Sequence, residues 1–470
     1  MDQQKNTPLQ ENKMGTMPVG KLLASMAIPM MISMLVQALY NVVDSIYVSQ
    51  LSENALNSVS LAFPLQNLMI AMGAGTGVGM NALLSRSLGA KDQESVDRSA
   101  NTGLLLYFLC AIIFALVGIF VTKPFFMSQT DVKEIYEGGI SYASICLIGS
   151  VGIFFQFASE RLLQSTGLTR LAMWTQLTGA LINIILDPIL IFGWFGLPAL
   201  GVAGAAWATI AGQIIAAILG IFFNIKFNKE INLSFKKIRW HKETVKEIYR
   251  VGLPSIVMQS IGSVMTFCLN KILIEFTTTA TAVFGAYFKL QSFIFMPIFG
   301  LNSGMVPIIS YNLGARKLDR IKKTIKLSIV TAVCIMSVGV LLFETIPHIL
   351  LGFFNASEDM LKIGTVALRI IAPHFILAGF CIISGSVFQA IGNPVHALIN
   401  SVCRQIVVLI PAAWLLSKTG ILDLVWLSFP IAELMSLLMS SIFLVKTLRT
   451  ITAALSEPNL GTSEILQEID

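Results

Sequence analysis

Residues 181–193 read LINIILDPILIFG, an apolar run interrupted only by Asn183, Asp187 and the proline that follows the acid. Asn183 and Asp187 stand four apart, so on a helix they share one face. A carboxylate inside a membrane span is costly, and such groups face a protein interior or a water-filled cavity. The run therefore reads as a membrane helix that carries a functional acid.

The rest of the chain agrees. Of its 470 residues, 55% are hydrophobic and 12% are charged, where soluble domains carry roughly 25% charged residues. Twelve apolar segments are long enough to cross a bilayer, at about 20 residues each. They lie near 21–48, 57–83, 100–123, 137–163, 170–194, 200–224, 252–276, 281–308, 324–346, 363–388, 395–417 and 422–446. The first eighteen residues are polar and lack the features of a signal peptide.

Lysines and arginines collect in alternate loops. Arg86, Lys91 and Arg98 follow span 2, a run from Lys226 to Arg250 follows span 6, and Arg316, Lys317, Arg320, Lys322 and Lys323 follow span 8. The opposite loops hold only Lys123, Lys133 and Lys418, with Lys362 at a span boundary. Positive-inside asymmetry predicts cytoplasmic termini and accounts for the net charge of +6 without nucleic acid. The six cysteines are scattered, without metal-ligand spacing, and read as core filling.

An internal repeat stands out at a shift of 225 residues. It pairs Pro29 with Pro254, Gly75 with Gly300, Gly79 with Gly304, Ser85 with Ser310, Leu88-Gly89-Ala90 with Leu313-Gly314-Ala315, Gln164 with Gln389 and Gly167 with Gly392. With six residues removed from the shift, Gly201 matches Gly420 and Trp207 matches Trp426. Halves of six spans enter the membrane from the same side, so they are parallel repeats about an axis along the membrane normal. The expected organisation is an N-terminal tail (1–18), an N-lobe (19–224, spans 1–6), a cytoplasmic linker (225–250), a C-lobe (251–448, spans 7–12) and a short polar tail (449–470), read as a loosely ordered helix.

Span 1 carries Gln37, Asn41 and Asp44 at i, i+4 and i+7, a polar stripe on one face. Pro29 frees a backbone carbonyl in the same span and marks a bend or hinge, and Pro188 perturbs span 5 just past Asp187. Both aspartates fall in the outer halves of spans running outward, where they could meet. Two close carboxylates in low dielectric cannot both stay ionised, so a proton or Na⁺ would be held there. The alternatives are an interfacial acid for Asp44 and a hydrogen-bonded structural acid for Asp187. Glu160 is a further candidate, set against a plain ion pair with Arg161.

The acids are not duplicated, since the shift carries Asp44 to Leu269 and Asp187 to Ala412. The C-half instead holds Lys271 (four before Glu275), Lys289, Arg369, Arg404 and Glu433 in or near spans. Arg404 and Glu433 each sit near the middle of a span and could form a midplane pair, structural or with a gating or substrate role, and His374 after Pro373 reads as packing. GAGTGVG at 73–79 imitates a nucleotide loop, but no Lys-Ser/Thr follows, so its glycines read as close helix contacts. Neither a nucleotide-hydrolysis motif nor a catalytic constellation is present in the sequence, and the chain reads as a non-enzyme.

These residues resemble the multidrug and toxic compound extrusion (MATE) transporters over about residues 18 to 448. The resemblance rests on SRSLGAK (85–91), SYNLGAR (310–316), the Pro29-Gln37-Asn41-Asp44 set, LLQSTGLT (162–169), NIILDPILIFG (183–193) and LGVAGAAWAT (200–209), in that order across twelve spans. It implies an all-α polytopic membrane protein of two six-helix bundles around a V-shaped cleft, exporting organic cations in exchange for H⁺ or Na⁺. Carried over residue by residue, the N-lobe site falls on Gln37, Asn41, Asp44, Asn183, Asp187 and Thr209, with bending at Pro29; were the coupling ion Na⁺ rather than H⁺, Asp44, Asp187 and Asn183 would hold it. The acids that some branches place in spans 7 and 10 are missing here, which favours the DinF-like branch.

The leading expectation is therefore a secondary multidrug antiporter working by alternating access, a monomer in the plasma membrane with no cofactor beyond its coupling ion. Its partners would be drugs, dyes and lipid. The alternative is a lipid-linked oligosaccharide flippase of the same broad superfamily, which would use Lys271, Lys289, Arg369 and Arg404 to line a basic cavity.

Overall fold

The computed structural model describes residues 11–234, 238–354 and 356–456. The tail before residue 11, linker residues 235–237 and the C-terminal tail from 457 lie outside the described residues. Among the described residues every regular element is helical. Eleven helices are long and apolar enough to span a membrane, and a bent pair makes up a twelfth crossing. The protein is an all-α polytopic membrane protein.

The crossings are span 1 (Val19–Ser49), 2 (Glu53–Gly89), 3 (Gln93–Phe120), 4 (Lys133–Ile148 with Val151–Ser165), 5 (Thr169–Phe192), 6 (Val202–Phe227), 7 (Lys242–Ile274), 8 (Thr278–Gly314), 9 (Leu318–Thr345), 10 (His374–Ile391), 11 (Val395–Ser417) and 12 (Leu422–Ser456). Two apolar segments are not the straight spans that hydropathy predicts. Span 4 bends by 43° between its two helices. The segment at 363–388 divides into Glu358–Ile371 and span 10, because Pro373 has no N–H to continue the first helix. Pro29 and Pro188 both sit inside helices that run on past them.

The repeat recurs in the helices and in their bonds. Shifted by 225, span 2 overlays span 8 and span 3 overlays span 9, end for end. The LGAK and LGAR motifs do the same job at the ends of spans 2 and 8. Lys91 (φ 59°) and Arg316 (φ 58°) both adopt the left-handed conformation that ends a helix. Asp92 N–H then reaches back to the Ser87 carbonyl, as Lys317 N–H does to that of Asn312. Ser85 donates to the Ser165 carbonyl (2.9 Å) and Ser310 to the Ala390 carbonyl (2.7 Å), again 225 residues apart. Gly167 (φ 87°) and Gly392 (φ 93°) close the same turn after spans 4 and 10.

Spans 1 and 2 pack against spans 7 and 8 of the other half. The approach is close because glycines line it. A Cβ on Gly79 would strike the Ile248 carbonyl, one on Gly89 the Tyr311 carbonyl, and one on Gly314 the Arg86 carbonyl. The helices touch backbone to backbone, and one apolar core runs through both halves. Arg86 adds a 3.3 Å ion pair to Glu247 across the seam. Because backbone cannot yield as a side-chain tip does, Gly89→Ala is expected to cost about 1–3 kcal/mol of stability in this closed arrangement. Thermal unfolding of the purified protein measures it.

Candidate functional site

Spans 1, 4, 5 and 6 surround a polar pocket in the N-terminal half. Asn183 sits one turn before Asp187 on span 5, and both side chains are buried. The Asn183 amide donates to Asp187 Oδ1 (3.4 Å) and to Thr209 Oγ1 (3.3 Å). Thr209 is held in turn by donating to the Ala205 carbonyl (3.0 Å). Asp44 lies on span 1, one turn after the cavity-lining Tyr40. Asp44 Oδ1, Asp187 Oδ2 and Asn183 Oδ1 are all buried without a protein donor.

Beside this group lies a cavity of about 60 Å³. Gln37, Asn183 and Thr209 line it, with Ser33, Tyr40, Gln156, Gln176 and Gln213. At that size it holds waters or a small ion, whereas drug-sized ligands occupy roughly 300–1,000 Å³. Glu160 is buried beyond it and accepts from Gln156 Nε2 (2.9 Å) and Gln176 Nε2 (2.7 Å). Arg161 turns elsewhere, donating to Gln164 (2.9 Å).

The structure thus brings Gln37, Asn183 and Thr209 around one cavity, with Asp187 bonded to Asn183, Glu160 tied to the lining glutamines, and Asp44 two turns past Gln37 on span 1. Asn41 is not among them, for its side chain is exposed. The glutamines at 156, 176 and 213 and Tyr40 are absent from the sequence reading, although helical spacing points to them. Gln156 precedes Glu160 by one turn, Gln213 follows Thr209 by one turn, and Gln176 precedes Asn183 by two.

The chemistry available is that of buried acidic and amide oxygens left without donors. Three unpartnered oxygens on two spans suit a proton or a hard cation, which takes oxygen ligands. No group of three or more His, Cys, Asp or Glu residues gathers among the described residues.

The C-half offers a different arrangement. Arg404 Nη1 meets Glu433 Oε2 at 3.1 Å. The arginine belongs to a π-helical turn, Cys403–Leu409, that leads into Pro411. His374 is buried and packed against Phe375 and Phe429, its Nδ1 bonded to the Ile371 carbonyl. Lys271 lies over the Phe267 ring, 4.8 Å from its centre.

The MatE family model matches residues 29–189 and again 254–415, once in each half. The chain belongs to the MatE family. That places it among membrane transporters rather than in an enzyme family. Among its relatives is the multidrug export protein MepA of Staphylococcus aureus, 28% identical over 88% of this chain and 91% of that protein. The probable multidrug resistance protein YoeA of Bacillus subtilis is 26% identical over 92% and 95%. An outward-facing multidrug resistance MATE family transporter superposes with a TM-score of 0.89 at 26% identity, covering 94% of this chain and 99% of that one. A MOP superfamily transporter from Pyrococcus furiosus gives 0.88 at the same identity and coverage. The multi-pass MatE architecture fits a plasma-membrane transporter.

Proposed function

We propose that this MatE protein is a secondary multidrug antiporter that exports organic cations in exchange for H⁺ or Na⁺. The observation that carries the reading is the set of unpartnered oxygens on Asp44, Asp187 and Asn183. The small cavity beside them suits an ion and its water, so the drug would meet the acids at the mouth of the pocket or by widening it. Ion and drug then compete for one negative site. Alternating access turns that competition into exchange when the two ligands differ in affinity for the two open states. Thr209 and Asn183 orient the Asp187 carboxylate, and Gln156 and Gln176 hold Glu160. The names of MepA and YoeA support multidrug export as the transported class. Monomeric function, with both termini in the cytoplasm, completes the proposal.

The test is dye transport by the purified protein in liposomes, under an imposed pH gradient and, separately, an imposed Na⁺ gradient. Transport of a cationic dye under at least one gradient is the expected result. Dye that moves under neither gradient overturns the antiport reading.

A further inference from the structure

We propose that Glu11–Met17 is a strap that holds the halves together at the face bearing the basic loops, and that it must release one half for this face to open. The proposal rests on the alternating-access reading above.

The segment lies before span 1 and forms a short helix, Lys13–Thr16, whose first turn is capped by Asn12 Oδ1 accepting from Met14 N–H. Its other contacts divide between the halves. Toward the N-half and the linker that follows it, Asn12 Nδ2 donates to the Thr166 carbonyl (3.1 Å) and to Glu230 Oε1 (3.0 Å). Toward the C-half, Asn312 Nδ2 donates to the Met14 carbonyl (3.1 Å), while Arg320 donates to the carbonyls of Met14 (2.8 Å) and Met17 (2.7 Å). Lys317 reaches the Gly15 carbonyl (2.9 Å) and also pairs with Glu11. Met14 is fully buried. Gly15 lies so close to the Tyr311 ring that a Cβ would come within 2.9 Å of it.

Two observations separate this strap from incidental packing. First, it crosses the tightest seam in the molecule, where Gly89 meets Tyr311 and Gly314 meets Arg86. Opening this face means parting the ends of spans 2 and 8, and a segment bonded to both sides opposes that. Second, the anchors are not products of the repeat. The positions equivalent to Asn312 and Arg320 in the N-half are Ser87 and Ser95, which lack their reach. The C-half carries donors that the N-half does without, and they meet the strap carbonyls. Among the described residues the strap's side-chain hydrogen bonds toward the N-half and the linker come from Asn12, against several from the C-half, so that end is the one that lets go.

The experiment uses the full chain in a cysteine-free background, spin-labelled at Glu94→Cys and Lys323→Cys, two exposed positions on opposite sides of the seam. Distance distributions are recorded in lipid at acid and neutral pH, with and without Na⁺. Asn12→Ala and Arg320→Gln are each expected to raise the ratio of open to closed states about fivefold, as for the loss of a hydrogen bond. The double variant should exceed the larger single effect little, because both changes disable one strap. Wild-type opening with both single variants and the double unchanged, at unaltered unfolding temperature, overturns the strap alone. Closure in wild type and variants alike, in every condition, overturns the strap together with alternating access.

Discussion

Asp187→Asn is expected to lower gradient-driven dye export by about tenfold or more while leaving the fold intact. The amide has the size of the carboxyl, and its oxygen still accepts from Asn183, which now stands 3.4 Å from Asp187 Oδ1. What it loses is the capacity to take up a proton or to carry the charge that attracts a cation. Removing a buried carboxylate relieves a desolvation cost, so the unfolding temperature should stay level or rise. A drop in export with a lower unfolding temperature would point to misfolding, and unchanged export would remove Asp187 from the coupling site. Thr209→Ala serves as the graded comparison. It takes away one partner of the Asn183 amide at 3.3 Å and should weaken export less than the loss of the acid.

Arg404→Leu is expected to destabilise the protein by about 3 kcal/mol, since it leaves the Glu433 carboxylate buried without its cation. The glutamate side chain is 3% exposed and the arginine 28%, so the stranded partner is the deeper one. Replacing both charges, Arg404→Leu with Glu433→Leu, should recover most of the loss, because a matched apolar pair carries no desolvation cost. Unfolding temperatures of the single and double variants decide the matter. A single variant as stable as wild type would show that the pair contributes nothing to stability.

The helical architecture was legible because a span must be both long and apolar, and few other folds read that way. The repeat was legible in LGAK and LGAR because a left-handed residue ending a helix constrains the sequence around it. The breaks were not. Hydropathy runs unbroken through Gly149 and Ser150 in span 4 and through Pro373 before span 10, since a bend needs no loss of apolar character. The site was half legible. Charged residues in apolar runs draw the eye to Asp44, Asp187 and Glu160, whereas glutamines scattered over spans 4, 5 and 6 gain meaning only when the helices are assembled. Asn41 shows the limit of the stripe argument. At 3.6 residues per turn it lies about 60° round the helix from Asp44, far enough to leave the pocket face.

The central claim is that ion and drug compete for the Asp44/Asp187 site, and proton release on dye binding tests it most directly. Purified protein in weak buffer is titrated with a cationic dye, first without Na⁺ and then with it, beside Asp44→Asn. The account predicts that dye binding either releases protons or is weakened by Na⁺, and that the response is lost in the variant. Dye that binds with no proton released and no sensitivity to Na⁺ would contradict it.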